Sequence, residues 1–125
     1  MEFKIDTKPT YTVIAPMDNS IDANMTEAVR QKWKELTESG RGNIIIDLSS
    51  CFAADEKALG ALEQLHEEVY SNKESIVFTN LQPAVWTVVK QKEADLLLNI
   101  APTMQEAVDV VSMEILEREL FDEES

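Results

Sequence analysis

The chain has 125 residues, enough for one domain with one core, and at that length roughly two thirds of the unfolded surface can be buried without a disulfide or metal staple. Its 24 acidic against 11 basic residues leave a net charge of −13, which argues against nucleic acid and anionic membrane surfaces and favours basic protein partners. Cys51 is the only cysteine, so no internal disulfide can form, and a reducing cytoplasmic location is expected.

The opening MEFKIDTKPT alternates and is charged, without the apolar core of a signal peptide, and no run reaches membrane-spanning length. Phe3 and Ile5 alternate with Lys4 and Asp6, the period of a half-buried strand. Pro9 ends it, and TYTVIAP then predicts a second strand, closed by Pro16, in a hairpin with the first. MDNSID reads as a loop. Asp22 is placed to cap a helix from Ala23 to about Ser39, with Met25, Ala28, Val29, Trp33 and Leu36 on one face and Gly40 and Gly42 at its end. The continuous apolar run NIIIDL predicts a central strand buried on both faces. A helix follows from Asp55 to about Tyr70, with Leu59, Leu62, Leu65 and Val69 on one stripe. SIVFTNL predicts another buried strand, and Pro83 opens a short helix through about Lys92 with Val85, Val88 and Val89 inward. DLLLNIAP predicts a last short strand. TMQEAVDVVSMEILERELF predicts a closing amphipathic helix, with Thr103 and Glu106 at capping-box spacing and an acidic tail at 122–125. Residues 1–121 thus read as a single domain. The order β-β-α-β-α-β-α-β-α implies an α/β fold. Parallel pairing through right-handed crossovers, with an antiparallel hairpin at the start, gives a mixed sheet of about four to five strands. About four helices should lie mainly on one face.

Chemistry-bearing residues are sparse. His66 is the only histidine, at the edge of an apolar stripe, and reads as a partly buried, hydrogen-bonded imidazole rather than a catalytic base. Cys51, between Ser50 and Phe52, reads as a small buried hydrophobe. No nucleophile–base pair is legible, so no enzyme and no cofactor is expected. Asp22, Asp47 and Asp55 all follow strands and could converge at one end of the sheet, but their spacing carries no ligand geometry and no metal is assigned. Trp33 falls in register with the core, whereas Trp86 lies off the Val85/Val88/Val89 stripe, a candidate exposed aromatic. Glu63, Glu67, Glu68 and Glu74 read as a solvated face.

The segment NIIIDLSSCFAADEKALGALEQLHEEV resembles the central part of STAS domains, the module of bacterial anti-sigma factor antagonists and of sulfate-transporter cytoplasmic tails. In that family an apolar strand and Asp-Leu-Ser lead to Asp-Ser-Ser-Gly-Leu, which opens a helix. YTVIAPMDNSIDANMTEAVRQKW is similar to the family's preceding strand, Gly-x-Leu-Asp loop and first helix. SIVFTNLQPAVWTVVKQKEADLLLNIAPTMQEAV is similar to its last strands, x-P-x-V helix and closing EA helix. The resemblance spans nearly the whole chain and implies a STAS-like fold. It departs at one place: Asp55 matches the Asp, Glu56 and Lys57 take the two hydroxyl positions, Ala58 the Gly and Leu59 the Leu. The second hydroxyl, which in the family receives phosphate from a partner kinase, is therefore replaced by Lys57. Glu56 already carries one charge into the helix's first turn, and Lys57 opposes it. Ser49 and Ser50, upstream in the same loop, are the remaining hydroxyls that a kinase could reach. Asn19 stands where the family tends to have Gly, and tolerates a left-handed backbone best among other residues. Ala58 in place of Gly favours the helix wherever φ is negative.

The resemblance implies a non-enzymatic regulatory interaction module without phosphate control at Lys57. Its partner would be an anti-sigma factor or regulatory kinase, docking on the loop before Asp55 and on the helix 55–70, with Asn19, Asp22, Ser50, Asp55, Glu56 and Lys57 as the expected contacts. The alternative is a cytoplasmic accessory subunit bound to the ATPase of an ABC-type transport complex. Homodimerisation stays open.

Overall fold

In the computed structural model, which describes residues 2–124 and side chains through Phe121, two strands open the chain, β1 (Phe3–Thr7) and β2 (Thr12–Pro16). There follow β3 (Ser20–Ile21), α1 (Ala23–Glu38), β4 (Ile44–Asp47), β5 (Ala53–Ala54), α2 (Glu56–Ser71) and β6 (Ile76–Thr79). The chain closes with α3 (Pro83–Gln91), a 3-10 turn (Ala94–Leu96), β7 (Ile100–Ala101) and α4 (Met104–Glu124). Five strands form one mixed sheet in the order β1-β2-β4-β6-β7, with β1 antiparallel to β2 and the rest parallel. The expected fold is therefore the observed one: an α/β sheet of five strands with four helices.

The alternation of side chains along β4 builds both layers. Ile44 and Ile46 face one way, with Ile14 of β2 and Ile76 and Phe78 of β6, into a core completed by α1, α2 and α3. Ile45 faces the other way, with Val77 and Ala101, against Ala107 and Val111 of α4. A strand buried on both faces needs apolar residues at every position, which is why β4 and β6 read as unbroken apolar runs. β1 is an edge strand: Phe3 packs on the core while its other residues are exposed.

The helices follow their local signals. The Asp22 carboxylate accepts from the Met25 N–H at 2.9 Å and caps α1, which buries Met25, Val29, Trp33 and Leu36 as expected. Thr26 is buried too, its hydroxyl bonded back to the Ala23 carbonyl at 3.0 Å, while Ala28 is only half-buried. Gly40 sits at φ +78 past the end of α1, where a left-handed residue is needed. The Trp33 indole donates to the Gly42 carbonyl at 3.1 Å, pinning the turn into β4. Pro83 opens α3 at the position where its missing N–H costs nothing.

Several expectations change. Residues 17–22 are more than a loop, since β3 pairs with β5 in a separate two-stranded parallel sheet. In DLLLNIAP only Ile100 and Ala101 pair as strand; Ala94–Leu96 form a 3-10 turn, which leaves Leu96 and Leu97 exposed. Two of the acidic residues expected to be merely solvated join α1 to the α2 region. Glu68 holds Arg30 through two bonds of 2.9 and 3.1 Å, and Glu74 accepts from Thr37 and Asn72 at 2.6 and 2.7 Å. The closing helix is apolar inward mainly in its first half, with Ile115 the one large apolar side chain among the described residues packed on the core beyond it. Its backbone runs to Glu124, and the side chains of the expected acidic tail at 122–125 lie outside the described residues. Among the described residues no helix is long and apolar enough to cross a membrane.

Phe78 is the largest fully buried side chain, at the centre of the three-helix layer. Phe78→Ala is expected to lower unfolding free energy by about 3–5 kcal/mol, read from urea denaturation monitored by circular dichroism.

Candidate functional site

The chain leaves β4 and must turn before α2 can begin. Leu48 N–H still bonds to the β6 carbonyl of Thr79 at 3.0 Å, and the Cys51 N–H closes a turn onto the Leu48 carbonyl at 3.0 Å. The turn is tethered from the neighbouring connection, because Gln82 Nε2 donates to the Ser49 carbonyl at 2.7 Å and Asn80 Nδ2 to Asp47 Oδ1 at 3.2 Å. Cys51 is fully buried, and its thiol is pushed up from 9.0 to about 11, first by burial and then by Asp18, Asp47 and Asp22. It is the small hydrophobe the sequence suggested, anchoring the turn.

Beyond Cys51 the chain runs alongside the loop that leads into α1. The Asn19 carbonyl accepts from the N–H groups of Phe52 and Ala53 at 2.7 and 3.2 Å, and the Ile21 carbonyl accepts from Asp55 N–H at 2.9 Å. Two loops far apart in sequence thus form one surface, and the entrances to α1 and α2 face the same corner. Each entrance has its own aspartate: Asp22 for α1, and Asp55, whose Oδ1 accepts from the Lys57 N–H at 3.0 Å, for α2. The carboxylates occupy part of the donor groups that a phosphate would otherwise use at such a helix end.

The expected contact residues gather here with unequal exposure. Asn19, Asp55, Glu56 and Lys57 are exposed, while Asp22 and Ser50 are half-buried and Ser49 is exposed. Asn19 is not left-handed; the positive φ values outside glycine fall at Lys73, Asn80 and Glu93. Its extended neighbours pair in β3, so no glycine-like turn is required. Ala58, inside α2 and nearly fully buried, contributes as a helix former where glycine would weaken the first turn. Glu56 Oε2 lies 3.0 Å from Lys92 Nζ at the end of α3, an exposed pair of small energetic weight. Asp22, Asp47 and Asp55 are each engaged with backbone or amide donors, and among the described residues no group of three metal-ligating side chains forms.

Phe52, which residue-by-residue reading of the loop passed over, is 58% exposed in the middle of this corner. A lone aromatic in a loop without a period carries no sequence signal that it points outward. Met17, before Asn19, is exposed too. Trp86 is partly exposed with Lys90 Nζ 5.1 Å from its ring centroid, and borders a shallow groove with Leu81, Ile100 and Pro102.

His66 lies away from the corner. Its Nε2 accepts from the Asn99 N–H at 3.3 Å, its ring lies 4.7 Å from that of Tyr70, and burial lowers its pKa. The Tyr70 hydroxyl donates to Glu114 at 2.8 Å and accepts from Asn99, and burial with the Glu114 charge raises its pKa well above the ordinary value. This histidine is a structural acceptor, as its place on the stripe indicated.

A family profile described as STAS domain matches residues 3–107. No curated protein sequence matches the chain. Among solved structures, an anti-sigma factor antagonist from Mycobacterium paratuberculosis superposes with a TM-score of 0.73 at 17% identity, over 89% of this chain and 93% of that one. The Bacillus anti-sigma factor antagonist SpoIIAA, in its unphosphorylated form, gives 0.68 at 19% identity, over 89% and 96%. The murine anion transporter Slc26a9 gives 0.64 at 17% identity, over 82% of this chain and 18% of that one. At these identities the superpositions speak for the fold.

Because the folded state favours the neutral Cys51 thiol, the stability tied to it is whole below pH 9 and is lost as pH rises towards 11. Between those values wild type is expected to lose about 2 kcal/mol more than Cys51→Ala, measured by denaturant titration at each pH. Tyr70 titrates in the same direction in both proteins, so the difference isolates the thiol.

Proposed function

The chain belongs to the STAS domain family, and on that premise we propose that it is a regulatory protein–protein interaction module without enzymatic activity, whose partner is an anti-sigma factor or regulatory kinase. The observation that carries the reading is the corner itself. A fully buried Cys51 and two backbone-paired loops hold an exposed Phe52 beside the exposed side chains of Asn19, Asp55, Glu56 and Lys57. An aromatic anchor ringed by polar groups on a rigid base is the usual make-up of a binding hot spot. The acidic character of the chain speeds encounter with a basic partner, and Asp55 and Glu56 set the sign of charge at the point of contact. Asp22 caps α1, and both it and Ser50 are half-buried beside these exposed groups.

Control by phosphate at the family position is absent in this reading. Lys57 stands there, its N–H already bonded to Asp55, and an amine forms no stable phosphate ester. The module binds constitutively, and its availability is set by its amount or its partner. The transport-complex alternative is less favoured: the superposed antagonists are matched over more than nine tenths of their length, the transporter over 18%.

Affinity capture from the source cell, with wild type and the double variant Phe52→Ser/Glu56→Lys as paired baits, tests the surface. An anti-sigma or kinase-type protein is expected on wild type alone. Equal recovery on both baits removes the corner as the docking surface, and recovery of a transport ATPase instead removes the partner class. Incubated with the recovered kinase and ATP, wild type is expected to gain no phosphate within residues 49–57, whereas Lys57→Ser gains it at position 57. Phosphate on Ser49 or Ser50 of wild type would end the unswitched reading.

A further inference from the structure

Helix α4 covers the sheet face opposite α1, α2 and α3, and its two halves meet the body differently. The first half buries Ala107 and Val111 against Ile45, Val77 and Ala101. In the second half the inward contacts turn polar, apart from Ile115. Glu114 accepts from Tyr70 and from Ser75 at 2.8 and 2.6 Å, and Arg118 donates to Asn43 and Ser75, each at 3.0 Å. The large apolar side chains of that half point outward instead. Met113 is 63% exposed, Leu116 55%, Leu120 52% and Phe121 74%. Single exposed hydrophobics are ordinary, but four within nine residues of one helix form a patch.

Spacing arranges them. Glu106, Asp109, Met113, Leu116 and Leu120 follow one another at steps of three or four, so they form one ridge, acidic at its start and apolar at its end, with Glu117 alongside. Over Met104–Glu124 the sequence carries eight acidic residues against the single Arg118, and that arginine is turned inward onto Asn43 and Ser75. The outward face is thus apolar and negative with no cation of its own among the described residues.

That charge selects the occupant. A second copy would bring the same acidic ridge against itself, and an anionic lipid surface would be repelled likewise. A helix with an apolar stripe and lysine or arginine along its flank matches both features. We propose that the outer face of α4 docks a basic amphipathic helix of another protein, seated on Met113, Leu116 and Leu120 and paired with Glu106, Asp109 and Glu117. This surface is separate from the corner at the start of α2, so one chain can hold two partners at once.

The full chain, labelled with nitrogen-15, is titrated with a synthetic leucine–lysine peptide of 3.5-residue apolar repeat and with a scrambled peptide of the same composition. The amphipathic peptide is expected to bind at least about tenfold more tightly than the scrambled one, and more weakly as salt rises. Its amide shifts should map to residues 104–121, and the preference should vanish in Met113→Ser/Leu116→Ser/Leu120→Ser. Equal binding of both peptides, or shifts confined to residues 17–22 and 49–57, overturns the proposal. So does a wild-type dimer in sedimentation velocity that the triple variant dissolves, since a second copy would then be what covers the face. The peptide titration on wild type stands even if the triple variant fails to fold.

Discussion

Burial of β4 on both faces is the constraint from which the rest of the molecule follows. Three successive isoleucines point alternately to two different cores, each fully out of water. Each such side chain contributes roughly 1.5–3 kcal/mol only if something covers it, so helices are needed on both sides of the sheet. The parallel pairs β2–β4, β4–β6 and β6–β7 require crossovers, and these are α1, α2 and α3 in turn, with α4 left for the far side. Parallel pairing also places the ends of β4 and β6 together at one edge. The corner arises there because Leu48, Asn80 and Gln82 all bond across it.

At that edge the chain spends backbone hydrogen bonds on position rather than on a long sheet. Two short strands pair so that Asn19 and Ile21 hold Phe52, Ala53 and Asp55. Both helix entrances are closed by aspartates, and Cys51 is drawn inward. The exposed side chains therefore stand on a base that is already ordered, and a partner docking there as proposed would not first have to freeze the loop. The place of a modifiable hydroxyl in the related pattern is filled by Lys57.

Helix α4 answers to a second balance. Its inward side changes from alanine and valine to a polar network that joins Tyr70, Asn99, Ser75, Asn43, Glu114 and Arg118. Buried polar groups of this kind must be satisfied, and their partners come from segments that precede β4, β6 and β7. That network takes up much of the inward face, which leaves the helix's large apolar side chains on the outside together with its acids. The same geometry that ties the end of the chain to the sheet produces this exposed apolar patch.

Much of this was legible in the residues. The order of the main elements, the two-sided burial of NIIIDL, the cap at Asp22, the stop at Gly40 and the buried roles of Trp33 and Cys51 all rest on local rules of period and capping, and hold in the structure. Other features were not legible. The pairing of β3 with β5 joins residues more than thirty apart, and two-residue strands carry no period to detect. The run DLLLNIAP looked like a strand because it is apolar, yet its first two residues join Ala94 in a 3-10 turn that leaves Leu96 and Leu97 outside. Glu68 and Glu74 looked solvated because their partners Arg30 and Thr37 lie on another helix. The sequence alone determined the four helices and the longer strands and which of their faces are apolar, since those depend on neighbours within a turn or two of chain. Tertiary structure alone decided that Asn19, Phe52 and Asp55 share one surface and that the far half of α4 turns its leucines outward, since those outcomes depend on which distant segments compete for the same interior space.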